Sequence, residues 1–172
     1  MTKTWFITGA SSGLGLDMTT RLLARGDRVL GTARNTAALA DLQRKYSDAL
    51  IVKKLELTDA VAIKTTMDEA FATLGTIDVI VSNAGYGLFG AAEELTDTQI
   101  EHQIATNLTG SIHLIRAALP HLRRQGGGRF IQVSSEGGQI SYPNFSAYDR
   151  VPGRGVAGFH SHRCFPVGSG CL

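Results

Sequence analysis

The stretch Thr8-Gly9-Ala10-Ser11-Ser12-Gly13-Leu14-Gly15 constrains this chain more than any other. It follows Thr4-Trp5-Phe6-Ile7, a short apolar run that reads as a buried strand. It precedes Leu14, Met18 and Leu22, which are spaced for one face of a helix. The glycines therefore fall at a strand-to-helix turn, where the backbone must bend tightly. Bare N–H groups at a helix start, with the partial positive charge of its dipole, can meet a phosphate there. Gly9, Ser11, Ser12, Gly13 and Gly15 are the candidate phosphate-binding residues, and a dinucleotide pyrophosphate is the simplest ligand. Plainer roles stand beside this one. Glycine also serves an ordinary left-handed turn, and the two serine hydroxyls cap a helix as readily as they meet phosphate. A βαβ unit with a suitable residue at the end of its second strand is the context that decides.

That context is present. Arg28-Val29-Leu30-Gly31-Thr32 is a second apolar strand, reached after one helix. At its end an acidic residue would bind the adenosine ribose hydroxyls. Ala33 stands there without a carboxylate, and Arg34 beside it can pair with a 2′-phosphate. The site therefore favours NADP(H) over NAD(H), the plain alternative being an exposed arginine at a strand end.

The alternation continues. Leu39, Leu42 and Tyr46 mark a second helix, and Leu50-Ile51-Val52 a third strand ending near Leu55. Ile63, Met67, Ala70 and Leu74 mark a third helix closed at Gly75, and Ile77 to Val81 a fourth strand. Thr96 or Asp97 caps the next helix. Ile100, Ile104, Leu108, Ile112, Ile115, Leu119 and Leu122 step by three and four residues, as expected of one long helix whose apolar stripe packs into the core. Gly126-Gly127-Gly128 ends it, and Arg129 to Val133 is a fifth strand. With right-handed crossovers these strands take the order 3-2-1-4-5 in a doubly wound, Rossmann-like parallel α/β sheet. From 149 to 172 no period is legible, so the chain divides into a dinucleotide-binding domain, 1–148, and an irregular tail.

The glycine spacing 9, 13, 15 resembles the cofactor loop of the short-chain dehydrogenase/reductase family. The resemblance continues at Asn83-Ala84-Gly85, Asn107, Ser135 and Tyr148, in family order. It implies an oxidoreductase acting on a small-molecule carbonyl/alcohol pair, with Tyr148 as acid/base and Ser135 holding the carbonyl oxygen. That chemistry is sound, because an alkoxide formed by hydride transfer needs a proton that a tyrosine can give and a hydroxyl that can hold it. The resemblance gives Asn107 a place in a proton relay and a local distortion of its helix. The family's Asp that meets the adenine beyond the third strand is Glu56 here, which leaves two alternatives: its longer side chain still accepts from the adenine amine, or the Leu57 backbone alone contributes. Small residues at Ala84 and Gly85 let the cofactor ribose approach, while Asn83 ties neighbouring strands more than it contacts cofactor.

After Tyr148 the resemblance breaks. The family's lysine, four residues on, is Pro152 here, and no lysine follows Lys64. That amine would bind the nicotinamide ribose and lower the tyrosine pKa by its charge. The family's last strands and helices are likewise not legible, as expected of a C-terminally truncated or frameshifted chain. If Arg150-Val151-Pro152 is encoded CGC-GTC-CCN, one base later it reads Ala-Ser-x, the family's sequence before the lysine. The expectation is an impaired enzyme. The alternative is a truncated, non-catalytic dinucleotide-binding module or a degraded fragment. Family dimers pair the long helix with the one after Tyr148, so a homo-oligomer stays open but weakened.

The 172 residues carry a net charge of +2, too little to argue for nucleic acid or a membrane surface. No apolar run approaches the ~18 residues of a membrane span. No leader pattern precedes the first strand, no metal-ligand spacing appears, and the two cysteines, Cys164 and Cys171, lie in the tail, so a cytoplasmic setting is expected.

Overall fold

The computed structural model describes residues 1–135. Its strands are β1 Thr4–Thr8, β2 Arg28–Ala33, β3 Leu50–Lys54, β4 Val79–Ser82 and β5 Arg129–Gln132. They pair in parallel in the order β3-β2-β1-β4-β5, as the alternating pattern predicts. The helices are α1 Gly13–Ala24, α2 Ala40–Lys45, α3 Ala60–Leu74, α4 Asp97–Ile104 and α5 Gly110–Arg124. A 3₁₀ turn, Ala37–Leu39, leads into α2, and a π-helical turn, Ala105–Thr109, joins α4 to α5. Tyr148, Pro152 and the expected tail lie outside the described residues.

Successive residues of a strand point to opposite faces, and the sheet uses both. Phe6, Leu30, Ile80 and Phe130 face Ile63 and Met67 of α3 and Leu114 and Leu122 of α5. Their neighbours Ile7, Val29, Val79 and Val81 face Leu22 and Leu23 of α1, with Leu39 and Leu50 completing that layer. These strands are buried on both sides, which explains why they read as continuous apolar runs.

Side-chain caps set two helix starts. Asp59 accepts from the Ala62 amide at 2.9 Å, and Thr96 with Gln99 forms a reciprocal capping box. At the opposite end of the sheet from the β1–α1 turn, the buried Asp27 carboxylate accepts from the Lys3 amide (2.9 Å), the Trp5 indole (3.0 Å) and Arg25 Nε (3.0 Å). Arg25 also lies over the Trp5 ring, 5.9 Å from its centroid. This clasp pins β1 to the α1–β2 connection.

Three expectations need correction. The buried face of α1 is Gly15, Thr19, Leu22 and Leu23, while Leu14 is 70% exposed. Close approach of Gly15 to the preceding turn fixes which face turns inward, overriding the Leu14–Met18–Leu22 spacing. β4 begins at Val79 instead of Ile77. The Ile77 backbone is held by the Gln125 side chain, which accepts from its N–H at 3.2 Å and donates to its carbonyl at 2.8 Å.

The third correction is the largest. The long helix is not one continuous α-helix, and its apolar stripe is not the buried face. The face against the sheet is Gln103, Thr106, Gly110, Ser111, Leu114, Ala118 and Leu122. Ile104 and Ile112 are 39% and 40% exposed, and of the expected stripe only Leu122 is fully buried. Gly110 packs so closely on β3's end that an added Cβ would stand 2.6 Å from the Leu57 carbonyl oxygen. A small residue is required there, and the π turn ahead of it resets the helical phase.

Candidate dinucleotide site

In an open parallel sheet the crevice for a ligand lies beyond the strand C-termini, where the strand order reverses. Here that point is between β1 and β4. A groove of about 550 Å³ opens there, within the range of small-molecule sites.

The β1–α1 turn forms one wall. Gly9 and Gly13 have φ of +69° and +51°, a left-handed conformation that favours glycine. A Cβ on Gly9 would lie 2.9 Å from Ala84 Cα, and one on Gly15 would lie 2.1 Å from the Gly9 carbonyl oxygen. Both glycines therefore serve close packing. Above Gly13 there is open space: a Cβ would meet nothing within 4 Å. Ser12 stands at the N-cap of α1 yet makes no side-chain capping bond, and both Ser11 and Ser12 line the groove. A helix N-terminus with free space over its glycine is where an anion fits.

Asn83 ties β1 to β4. Its Nδ2 donates to the Thr8 carbonyl at 2.9 Å and its backbone N–H donates to the Thr8 hydroxyl at 2.9 Å, as does the Ala84 N–H at 3.0 Å. The strand-tying role expected for Asn83 is the one its side chain performs.

Arg34, exposed at the end of β2, lies on the same groove as Glu56 and Leu57 beyond β3. Ala33 is buried and brings no carboxylate. At the other end stand Asn107 and Ser135, with Thr106 and Gln132 beside them. Both ends of the Asn107 amide are engaged. Its Oδ1 accepts from the Tyr86 N–H at 3.1 Å and its Nδ2 donates to the Tyr86 carbonyl at 2.8 Å. Its own carbonyl accepts from the Ser111 hydroxyl at 3.0 Å. Asn107 sits inside the π turn, so the local helix distortion is real.

Every predicted site residue within the described region lines the groove except Gly15, which is buried beneath it. Tyr148 lies outside that region. The sequence reading passed over Tyr86, Thr106 and Gln132. Tyr86 directly follows Asn83-Ala84-Gly85 in the glycine-rich loop, which was the available signal; Thr106 and Gln132 carried none. Thr106 Oγ1 and Gln132 Oε1 are buried and without a hydrogen-bond partner among the described residues. Such atoms on a groove wall suit a ligand that brings its own polar groups. The cradle thus fits a dinucleotide: an open anion site at the turn, a guanidinium at the β2 end, and unsatisfied polar atoms at the far end. Among the described residues there is no cluster of metal-ligating side chains, and no helix is long and apolar enough to cross a membrane.

A parallel sheet with helices on both faces and a glycine turn at its switch point defines the Rossmann-like class of α/β proteins. Within it, a family model described as short chain dehydrogenase matches residues 3–150. The chain belongs to the short-chain dehydrogenase family. It is 39% identical over 149 residues to "Oxidoreductase BOA17" of Botryotinia fuckeliana, covering 86% of this chain and 54% of that protein. A solved short-chain dehydrogenase from Streptomyces avermitilis superposes with a TM-score of 0.84 at 40% identity, covering 88% of this chain and 56% of the other. A metagenomic short-chain oxidoreductase solved in complex with NADP gives 0.83 at 29% identity, covering 91% and 72%. The chain spans about half the length of the first two.

Proposed function

We propose that this chain binds NADP(H) and carries the short-chain reductase apparatus for a small carbonyl/alcohol pair, with turnover impaired by its sequence after Tyr148. The observation that carries the reading is the single groove running from the glycine turn and Arg34 to Asn107 and Ser135. The bound nicotinamide supplies or accepts the hydride. The chain's own residues do the rest. The amides at the start of α1 hold the pyrophosphate, and Arg34 pairs with the 2′-phosphate. Glu56 and the Leu57 backbone meet the adenine, while Ala84 and Gly85 leave room for ribose. Ser135 holds the carbonyl oxygen, Tyr148 gives or takes the proton, and Asn107 anchors the relay. A cytoplasmic setting belongs to the same reading.

Pro152 supports the impairment. A tyrosine near pKa ~10 is ionised only about one part in a thousand at pH 7 without a cation to lower it. It equally supports the second reading, a dinucleotide-binding module without turnover. NADPH fluorescence on titration with the 172-residue chain tests the first claim, and no binding would overturn it. Incubation with a panel of aldehydes and ketones tests the second. We expect binding with little or no turnover; turnover abolished by Tyr148→Phe would show that impairment is wrong and the enzyme intact.

A further inference from the structure

The small net charge of the chain conceals two ends of opposite sign. In a parallel sheet wound with helices, the strand starts and the helix C-termini share one end of the molecule. That end carries Lys3 just ahead of β1, Arg28 as the first residue of β2 and Arg129 as the first of β5. The last turns of α2 and α5 add Lys45, Arg123 and Arg124. All six are exposed, and none has an ion pair among the described residues. Against them stand Asp78, whose Oδ2 accepts from the Thr4 amide at 2.7 Å, and Asp48 between α2 and β3. Asp27 is buried in its clasp, and Asp41 is paired with Arg44. Helix C-termini favour cations, which accounts for Lys45, Arg123 and Arg124 one at a time. It does not account for Lys3, Arg28 and Arg129, which stand on or beside strands. The other end, where the groove opens, carries Glu56, Asp59, Glu93, Glu94, Asp97 and Glu101 against Arg34 and Lys54.

The basic end is a two-dimensional array. Along the sheet, the Arg28 N–H donates to the Lys3 carbonyl and the Arg129 N–H to the Asp78 carbonyl, both at 2.9 Å. From β2 to β5 is three strand spacings, about 14 Å. Across the sheet, α5 brings Arg123 and Arg124 to one face, and α2 brings Lys45 to the other. A linear polyanion calls for a track; charges spread in two directions suit a plane of headgroups.

We propose that this end is a docking surface for an anionic lipid bilayer, which holds the chain with its groove facing away from the membrane. Basic residues within a Debye length of the headgroups are attracted, while the acidic groove end is repelled, so one orientation is selected. The contact is electrostatic, hence reversible and salt-sensitive.

Co-sedimentation of the full chain with vesicles of phosphatidylcholine alone, and of phosphatidylcholine with about 30% phosphatidylserine, tests it. Binding is expected to the mixed vesicles at about 0.05 M salt and should be lost by about 0.5 M. Arg129→Glu should lower partitioning at least about fivefold, and Arg123→Glu with Arg124→Glu at least about tenfold. Lys54→Glu makes the same charge change as Arg129→Glu at the groove end of β3 and should leave partitioning nearly unchanged. Circular dichroism checks that each variant folds, and Arg123→Gln with Arg124→Gln, a milder change at the same place, should give a smaller loss in the same direction. No binding to the mixed vesicles, equal binding to neutral ones, or an equal loss in Lys54→Glu would overturn the proposal. So would tighter binding to duplex DNA at equal phosphate concentration, which would make the partner a nucleic acid.

Discussion

On the proposed reading, cofactor choice turns on Arg34. Its guanidinium stands at the end of β2 beside a buried Ala33. NADPH is expected to bind at least tenfold more tightly than NADH, about 1.4 kcal/mol. Arg34→Ala should erase that preference and leave NADH affinity nearly unchanged, as read by parallel titrations. Gly15 makes a sharper case. Its Cβ would overlap the Gly9 carbonyl, so Gly15→Ala must move the turn itself. We expect NADPH binding to be lost and the melting temperature to fall. Asp27 carries a pH dependence. Burial pushes its carboxyl pKa up, but the Lys3 amide, Arg25 and the Trp5 indole together hold it below the usual range. A depressed carboxylate stabilises the fold above its unfolded pKa of ~3.9, and that contribution is lost as pH falls through the folded value. Asp27→Asn should cost about 1–3 kcal/mol at neutral pH. It should also flatten the acid limb of stability below pH ~4, seen in thermal melts across pH.

At the scale of elements, the π turn is where prediction is most informative. Asn107→Ala removes two hydrogen bonds to the Tyr86 backbone and leaves half-buried amide groups unpaired. We expect a loss of about 1–3 kcal/mol, with circular dichroism showing α4 and α5 still folded. The sheet order was legible because buried parallel strands leave continuous apolar runs and helices between them impose one crossover hand. The groove was legible because glycine spacing, Arg34 and Asn83 all mark the ends of strands. The phase of the α4–α5 face was not. A period of three and four residues counts apolar side chains, but the inward face here is chosen by Gly110 and Ser111, small enough to lie against the sheet. Leu14 misled for the same reason, since Gly15 is what fits. Tyr86 was missed because its importance lies in its backbone bonds to a residue 21 positions away.

For the whole molecule, the misread stripe has an outcome. Ile104 and Ile112 project from α4 and α5, with Ile100, Leu108, Ile115 and Leu119 only half-buried around them. We propose a second copy of the chain as the occupant of this face. Sedimentation should show a concentration-dependent dimer that Ile104→Lys with Ile112→Lys converts to monomer; a monomer at all concentrations before mutation would refute it. The clasp around Asp27 has a separate consequence. Trp5, the chain's only tryptophan, is seated near the start of β1, and the groove opens beyond that strand's other end. Its emission therefore carries two independent signals. Reduced nicotinamide absorbs where tryptophan emits, so NADPH docking would dim Trp5 through space without shifting its colour. Breaking the clasp would shift the colour instead, as water reaches the indole. The chain thus holds one optical label that distinguishes occupancy from unfolding in the same cuvette.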